Sequence, residues 1–229
     1  MGKYVWCEDY KSGFQFWQVL FKALYPDIIV ETQNNNSRLN TAVSRINDDG
    51  NYYYVIIDST IDNPDVLREV KRLKKTIEGK TNVKIIEIRS FEFSLLSFEF
   101  LEEWVFAEKD ELKEKRSDLL EARKIFVDIG NNGGDIDALI SFKAVYNFSE
   151  NKNEEKLASK ILYEITKNTG FETDKSKVGP CFIYDCCEWT ERQKDDICGL
   201  DNKRLSVLEK MRQILEYSAL KSSFKEAGL

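Results

Sequence analysis

Apolar and polar positions in the first part of the chain switch repeatedly between the spacing of strands and that of helices. "KYVWCED" is a short apolar run that ends in acids and reads as a strand. In "GFQFWQVLFKAL", Phe14, Phe16, Trp17, Leu20, Phe21 and Leu24 fall close to helical spacing, and Pro26 stops that helix. "DIIVET" is a second short strand and "QNNNS" a polar turn. Leu39, Val43 and Ile46 then mark one face of a helix for which Ser37 is the expected N-cap.

"DDGN" signals a turn, and "YYYVIID" is apolar on both faces, as an interior strand of a parallel sheet should be. "NPDVLREVKRLKKTIEG" reads as a helix with Pro64 in its first turn, Asp65 at the positive end of its dipole and a glycine beyond its end. "NVKIIEI" is a fourth strand, and "SFEFSLLSFEFLEEWVF" a strongly apolar helix. Strand and helix thus alternate four times over residues 1–107, which predicts an α/β domain: a parallel sheet of about four strands flanked by helices. Function in such sheets gathers at the carboxyl ends of the strands.

After Phe106 the texture changes. "AEKDELKEKRSDLLEARKIF" is a highly charged helix, "NNGGD" breaks it, and further helical patterns run to the end, so residues 108–229 are expected to form a mainly helical extension. There is neither an internal repeat nor a low-complexity tract.

Composition narrows the chemistry. Of the 229 residues 42% are apolar, enough for a real core, and 32% are charged. A formal net charge of −6 gives no overall pull toward polyanions, although a local basic groove is compatible with it. No apolar stretch approaches the ~20 residues of a membrane span, and polar residues interrupt "MGKYVWCEDYKSG" before any signal-peptide core can form. Five cysteines, an odd number, point to the reducing cytosol, so a cytoplasmic location without a membrane partner is expected. Histidine is absent, which removes Ser-His-Asp and Cys-His catalysis and every His-containing metal site.

Carboxylates therefore come to the fore. The strand ends deliver Glu8 and Asp9, then Asp58 followed by Ser59, Thr60 and Asp62, then Arg89 with Glu92 one turn into the next helix. Adjacent strands lie ~5 Å apart, so acids from three elements can converge on one Mg²⁺ or Mn²⁺, ions that prefer oxygen ligands. Such a site can break a phosphodiester without histidine.

These residues resemble the Toprim domain of topoisomerases, primases, OLD-type nucleases and related anti-phage defence nucleases. "WCEDYKSGFQFWQVLF" is similar to its glutamate motif, with Glu8 at the acid and Ser12 and Gly13 in the following turn. "VIIDSTID" is similar to its DxD motif, with Asp58 as the first aspartate, Thr60 in place of the second, and Asp62 two residues beyond. "IRSFEFSLLSFE" resembles the "(R)xxExYLL" segment, with Glu92 at its acid. The resemblance covers less than half of the chain. It implies a Mg²⁺-dependent nuclease acting on DNA or RNA, with Glu8 and Asp58 catalytic, and with Asp58, Asp62 and Glu92 holding the metal. The residues themselves add Lys11, Arg38 and Arg89 as substrate-binding candidates, Arg38 because backbone amides at the N-terminus of the helix after "QNNNS" can receive phosphate, and the helical half is expected to serve a protein partner or homodimerisation. The alternative within the family is a module that has lost its chemistry and only binds nucleic acid or protein.

Plainer readings stand beside these. Asp58 can cap the helix that starts near Pro64, Glu8 and Asp9 can be solvated turn acids, and Glu92 can share a polar face with Glu99 and Glu103. "REVKRLKKTIEGK" is either a nucleic-acid track or a solvated face. Cys181, Cys186, Cys187 and Cys198 offer four thiols for a structural Zn²⁺, but the spacing lacks paired C-x2-C knuckles, and buried thiols are the default. A small-molecule-binding α/β domain is the third class.

Overall fold

A computed structural model describes residues 1–187, 198–201 and 203–229. The chain folds as β1 (Lys3–Cys7), α1 (Ser12–Leu24), β2 (Ile28–Thr32), α2 (Asn36–Ser44), β3 (Tyr52–Asp58), α3 (Pro64–Ile77) and β4 (Val83–Ile88). Helices follow: α4 (Phe91–Leu96), α5 (Leu101–Val105), α6 (Glu111–Lys115), α7 (Ser117–Asn131), α8 (Ile136–Val145), α9 (Glu154–Thr166), α10 (Pro180–Ile183), α11 (Val207–Glu216) and α12 (Leu220–Ala227).

The sheet order is β2-β1-β3-β4 and every pairing is parallel. The fold is α/β with a helical C-terminal region, as the hydrophobic pattern predicts. The register sets Cys7 opposite both Thr32 and Ile56, and Asp58 opposite Ile88, so all four carboxyl ends finish at one edge. β1 connects outward to β2, whereas β3 lies on the other side of β1. The chain therefore reverses its direction of winding between β1 and β3, and that switch point opens a crevice beyond their carboxyl ends.

Side-chain alternation along the strands fills two cores. Tyr53, Val55, Ile57 and Val83 face α2 and α3 through Leu39, Val43, Val70 and Leu73. Val5, Cys7, Ile56, Ile86 and Ile88 face the opposite way, onto α1 and the helical half, with Trp17, Phe91, Trp104, Phe126 and Leu162 in the same continuous cluster. One core thus crosses residue 107, and the helical half covers a whole sheet face. α12 also shields the outer edge of β4, where the Ser223 hydroxyl donates to the Glu87 carbonyl at 2.7 Å.

Several local boundaries differ from the sequence expectation, each for a visible reason. α2 is capped by Asn35, whose side chain accepts from the Arg38 amide, and Ser37 lies inside the helix. α3 is capped by Asn63, which accepts from the amides of Asp65 and Val66, so Asp58 does not cap it. The apolar segment after β4 forms two short helices instead of one. Buried Arg123 donates to the carbonyls of Leu96 and Phe98 at 2.7 and 2.6 Å and satisfies the end of α4 from a distant helix. The charged segment likewise breaks at Arg116, whose guanidinium binds the carbonyls of Ile165 and Lys167 at the end of α9. Among the described residues, no helix is long and apolar enough to cross a membrane.

Candidate functional site

Beyond the carboxyl ends of β1 and β3 lies a cavity of about 340 Å³. Glu8 and Asp9 enter it from the turn after β1, Asp58 from the tip of β3, Glu92 from the first turn of α4, and Glu155 from the first turn of α9. Lys11, Lys175 and Asn36 complete the polar wall.

The turn after β1 is held firmly. The Thr32 hydroxyl donates to the Asp9 carbonyl, tying the turn to β2. The fully buried Trp17 ring donates its indole N–H to Asp9 Oδ2 at 2.7 Å. Gly13 makes room for this contact, for a Cβ there would stand 2.2 Å from Asp9 Oδ1. The "EDYKSGFQFW" stretch therefore builds one side of the cavity by direct contacts between its acid, its glycine and its tryptophan.

The carboxylates press on one another. Burial pushes the Glu8 pKa up to about 8, and the charge of Asp9 adds to it against the opposing pull of the Asn36 side chain and the Asp58 backbone. Glu92 rises to about 7, chiefly through burial, with further pressure from Asp9 and Glu155. Asp9 rises to about 6 through burial, against its bond from Trp17. Asp58 is driven well above the ordinary carboxylate range, first by burial and then by the charges of Glu8, Asp9, Glu92 and Glu155. Its Oδ1 is buried without a hydrogen-bond partner among the described residues.

A buried acceptor of this kind is costly unless something uses it. Repelling carboxylate oxygens plus one orphaned oxygen form a donor set suited to a hard divalent cation. Among the described residues, however, no group of three such side chains is already arranged to hold a metal ion. Glu8, Asp9, Asp58, Glu92 and Glu155 are the carboxylate oxygen donors that line this cavity.

The structure brings Glu8, Asp58, Glu92 and Lys11 together and sends three other expected residues elsewhere. Asp62 Oδ2 receives a bond from Lys143 Nζ at 2.9 Å, and Asp62 Oδ1 one from the Glu154 amide at 2.8 Å, so its carboxylate is directed to the helical half. Arg89 donates to the Gly130 carbonyl at 3.0 Å and lies 3.6 Å from Glu154 Oε2. Together with Thr60 it lines a different cavity, of about 530 Å³. Thr60 is 1% exposed, and its hydroxyl oxygen has no partner among the described residues. Arg38 is exposed on α2 and does not line the acidic cavity, whose wall at that point is Asn34, Asn35 and Asn36.

Two acids of the cavity escape a reading from motifs. Asp9 sits beside Glu8 and looks like an ordinary turn acid until Trp17 is seen to bind it. Glu155 comes from the helical half, and only its place in the first turn of an acid-led helix hints at a role.

The cysteines present a separate cluster. Burial and the neighbouring Cys198, Cys187 and Cys186 thiols raise Cys181 to about 11, so the four lie near one another. None of their groupings among the described residues is arranged to hold a metal ion. Cys7 is fully buried in the core.

Comparison of the chain with protein-family models, curated proteins and solved structures gives no match to any of them.

Proposed function

We propose that the chain is a Toprim-like, divalent-cation-dependent enzyme that cleaves phosphodiester bonds of nucleic acid. The observation that carries this reading is the crowding of Glu8, Asp9, Glu92 and Glu155 around Asp58, whose buried Oδ1 lacks a partner. Asp58 would hold Mg²⁺ or Mn²⁺ with Glu92, while Glu8 joins them or takes the proton of the attacking nucleophile. When bound, the cation supplies Lewis-acid polarisation of the phosphoryl oxygens and a more acidic water. Lys11 and Lys175, which lie in the wall, would neutralise the substrate phosphate. Asp9 is held by Trp17 and shapes the field around Asp58.

The test is cleavage of DNA and of RNA with Mg²⁺ or Mn²⁺, by the chain and by its Asp58→Ala and Glu8→Ala variants. Cation-dependent cleavage that both substitutions abolish supports the reading. Equal activity in the variants, or Mn²⁺-soaked crystals without anomalous density between Glu8 and Asp58, removes it.

A second reading has its own observation. Thr60 stands where the resembling motif has its second aspartate, and it lines the other cavity. A Toprim-like module that has lost its chemistry and binds nucleic acid or a protein partner fits that placement. It predicts binding of nucleic acid or a partner protein with no cation requirement and no turnover.

A further inference from the structure

A second patch touches the acidic cavity and has the opposite charge. Lys152, Lys156 and Lys160 follow one another at intervals of four residues, so α9 and the residues just before it carry them along one face. With Lys175 and Tyr163 they line a shallow depression of about 440 Å³. Lys175 lines the acidic cavity as well, and α9 itself sends Glu155 there, so the two sites are continuous.

These lysines are not held in local ion pairs, although Lys160 Nζ lies 5.3 Å from the centre of the Phe148 ring. Among the described residues, Lys152, Lys156, Lys160, Lys175 and Lys11 take part in no ion pair. The acid in the depression, Asp174, has a carboxylate oxygen that accepts from the Ser176 and Lys177 amides at 2.7 and 3.0 Å, within its own turn. On the lysine-rich α3, Arg68, Arg72 and Lys74 are paired with Asp65, Glu69 and Glu87, which leaves Lys71 and Lys75 in no ion pair among the described residues, and neither of these lines the acidic cavity or the depression. In a chain of net charge −6, the α9 face is a local cationic strip that ends at the acids.

Exposed aromatic rings flank the strip. Tyr163 is 38% exposed at its far end, and Tyr10 is 60% exposed beside the acidic cavity with Lys11 Nζ 5.4 Å from its ring centre. Lysines that follow a backbone, with aromatic rings on which bases can stack, suit an unpaired strand rather than a duplex.

We infer that the α9 lysine face is a docking track for single-stranded nucleic acid, which it leads over Lys175 into the acidic cavity. The inference rests on the nucleic-acid reading proposed above and adds to it the strand form and the path.

The experiment measures fluorescence anisotropy of the full chain with a labelled single-stranded oligonucleotide of about twenty nucleotides, and with the matching duplex, over a range of salt. The chain should bind the single strand more tightly than the duplex. K156E/K160E should weaken single-strand binding at least about tenfold and reduce the steepness of its salt dependence by about 1.4, or 0.7 per lost contact. K71E/K75E on α3 should change binding less than about twofold. Preference for duplex, an unchanged K156E/K160E, a larger loss in K71E/K75E, or loss of anionic-vesicle binding alone would each overturn the track. Turnover of bis(4-nitrophenyl) phosphate with Mn²⁺, which needs no track, separates the two ideas. Turnover with unaltered oligonucleotide binding in K156E/K160E removes the track and leaves the enzyme, while track binding without turnover removes the enzyme and leaves the track.

Discussion

Lys143 and Asp62 form a buried ion pair that joins α8 to the loop after β3, with Nζ and Oδ2 2.9 Å apart and the two residues 81 positions apart in the chain. Their side chains are only 7% and 12% exposed, and the same carboxylate receives the Glu154 amide at the start of α9. Removing one partner of a buried pair leaves an uncompensated charge, which costs about 3–5 kcal/mol. Lys143→Met should therefore destabilise the chain by that amount in urea unfolding. Asp62→Asn leaves the Lys143 ammonium buried without its counter-charge and has one acceptor oxygen for two donors, so it should cost a comparable amount. A loss below about 1 kcal/mol in Lys143→Met would show that the pair is not holding the loop.

Asp58→Asn should separate stability from function. Asp58 lies among like charges that drive its pKa well above the ordinary range, and an amide of the same shape removes that repulsion. The cation-free variant should melt higher than the unaltered chain, by about 2–4 °C for each kcal/mol relieved. Its Mn²⁺ affinity should fall by more than about a hundredfold, because even partners of direct metal ligands cost 10–100-fold when lost. A variant that melts lower and still binds Mn²⁺ would contradict both parts.

Stability should also fall with rising pH in the absence of a cation. Glu8, Glu92 and Asp9 titrate at about 8, 7 and 6 in the folded chain, against 4.5, 4.5 and 3.8 for the free groups. The folded state thus binds more protons than the unfolded one between about pH 4 and pH 8, so this contribution is present at low pH and is lost on going up through that window. Mg²⁺ competes with those protons and should raise the melting temperature more at about pH 8 than at about pH 5. Thermal unfolding with and without EDTA at both values is sufficient. An equal Mg²⁺ effect at the two would mean that the acids do not receive the cation.

The sheet is legible in the chain because its strands are short apolar runs, and "YYYVIID" in particular is apolar toward both faces. The helices between them are legible from their spacing and from Pro26 and Pro64. What escapes is long-range. Nothing local tells that Arg123 and Arg116 end helices far from themselves, or that Asn63 rather than Asp58 caps α3. The same holds at the candidate site. Glu8, Asp58 and Glu92 meet because parallel strands end together, which alternation implies. Asp62 is drawn away by Lys143, and Glu155 is delivered by a helix about 150 residues after Glu8, contacts that only tertiary packing decides.

Gly13→Ala tests whether the turn after β1 is tuned to the acids. The added Cβ would lie 2.2 Å from Asp9 Oδ1 and 2.5 Å from its Cγ, so the carboxylate must move. It would then leave the Trp17 indole N–H, now 2.7 Å from Oδ2, buried without a partner at a cost of about 1–3 kcal/mol. Trp17→Phe loses the same hydrogen bond without the clash, so it frees Asp9 but does not displace it. Both variants should lose stability in urea unfolding, whereas Gly13→Ala alone should also weaken Mn²⁺ binding, because only there is an acid forced out of its place in the cavity. If Gly13→Ala binds Mn²⁺ as the unaltered chain does, Asp9 belongs to the scaffold of the turn and not to the charge that gathers around Asp58.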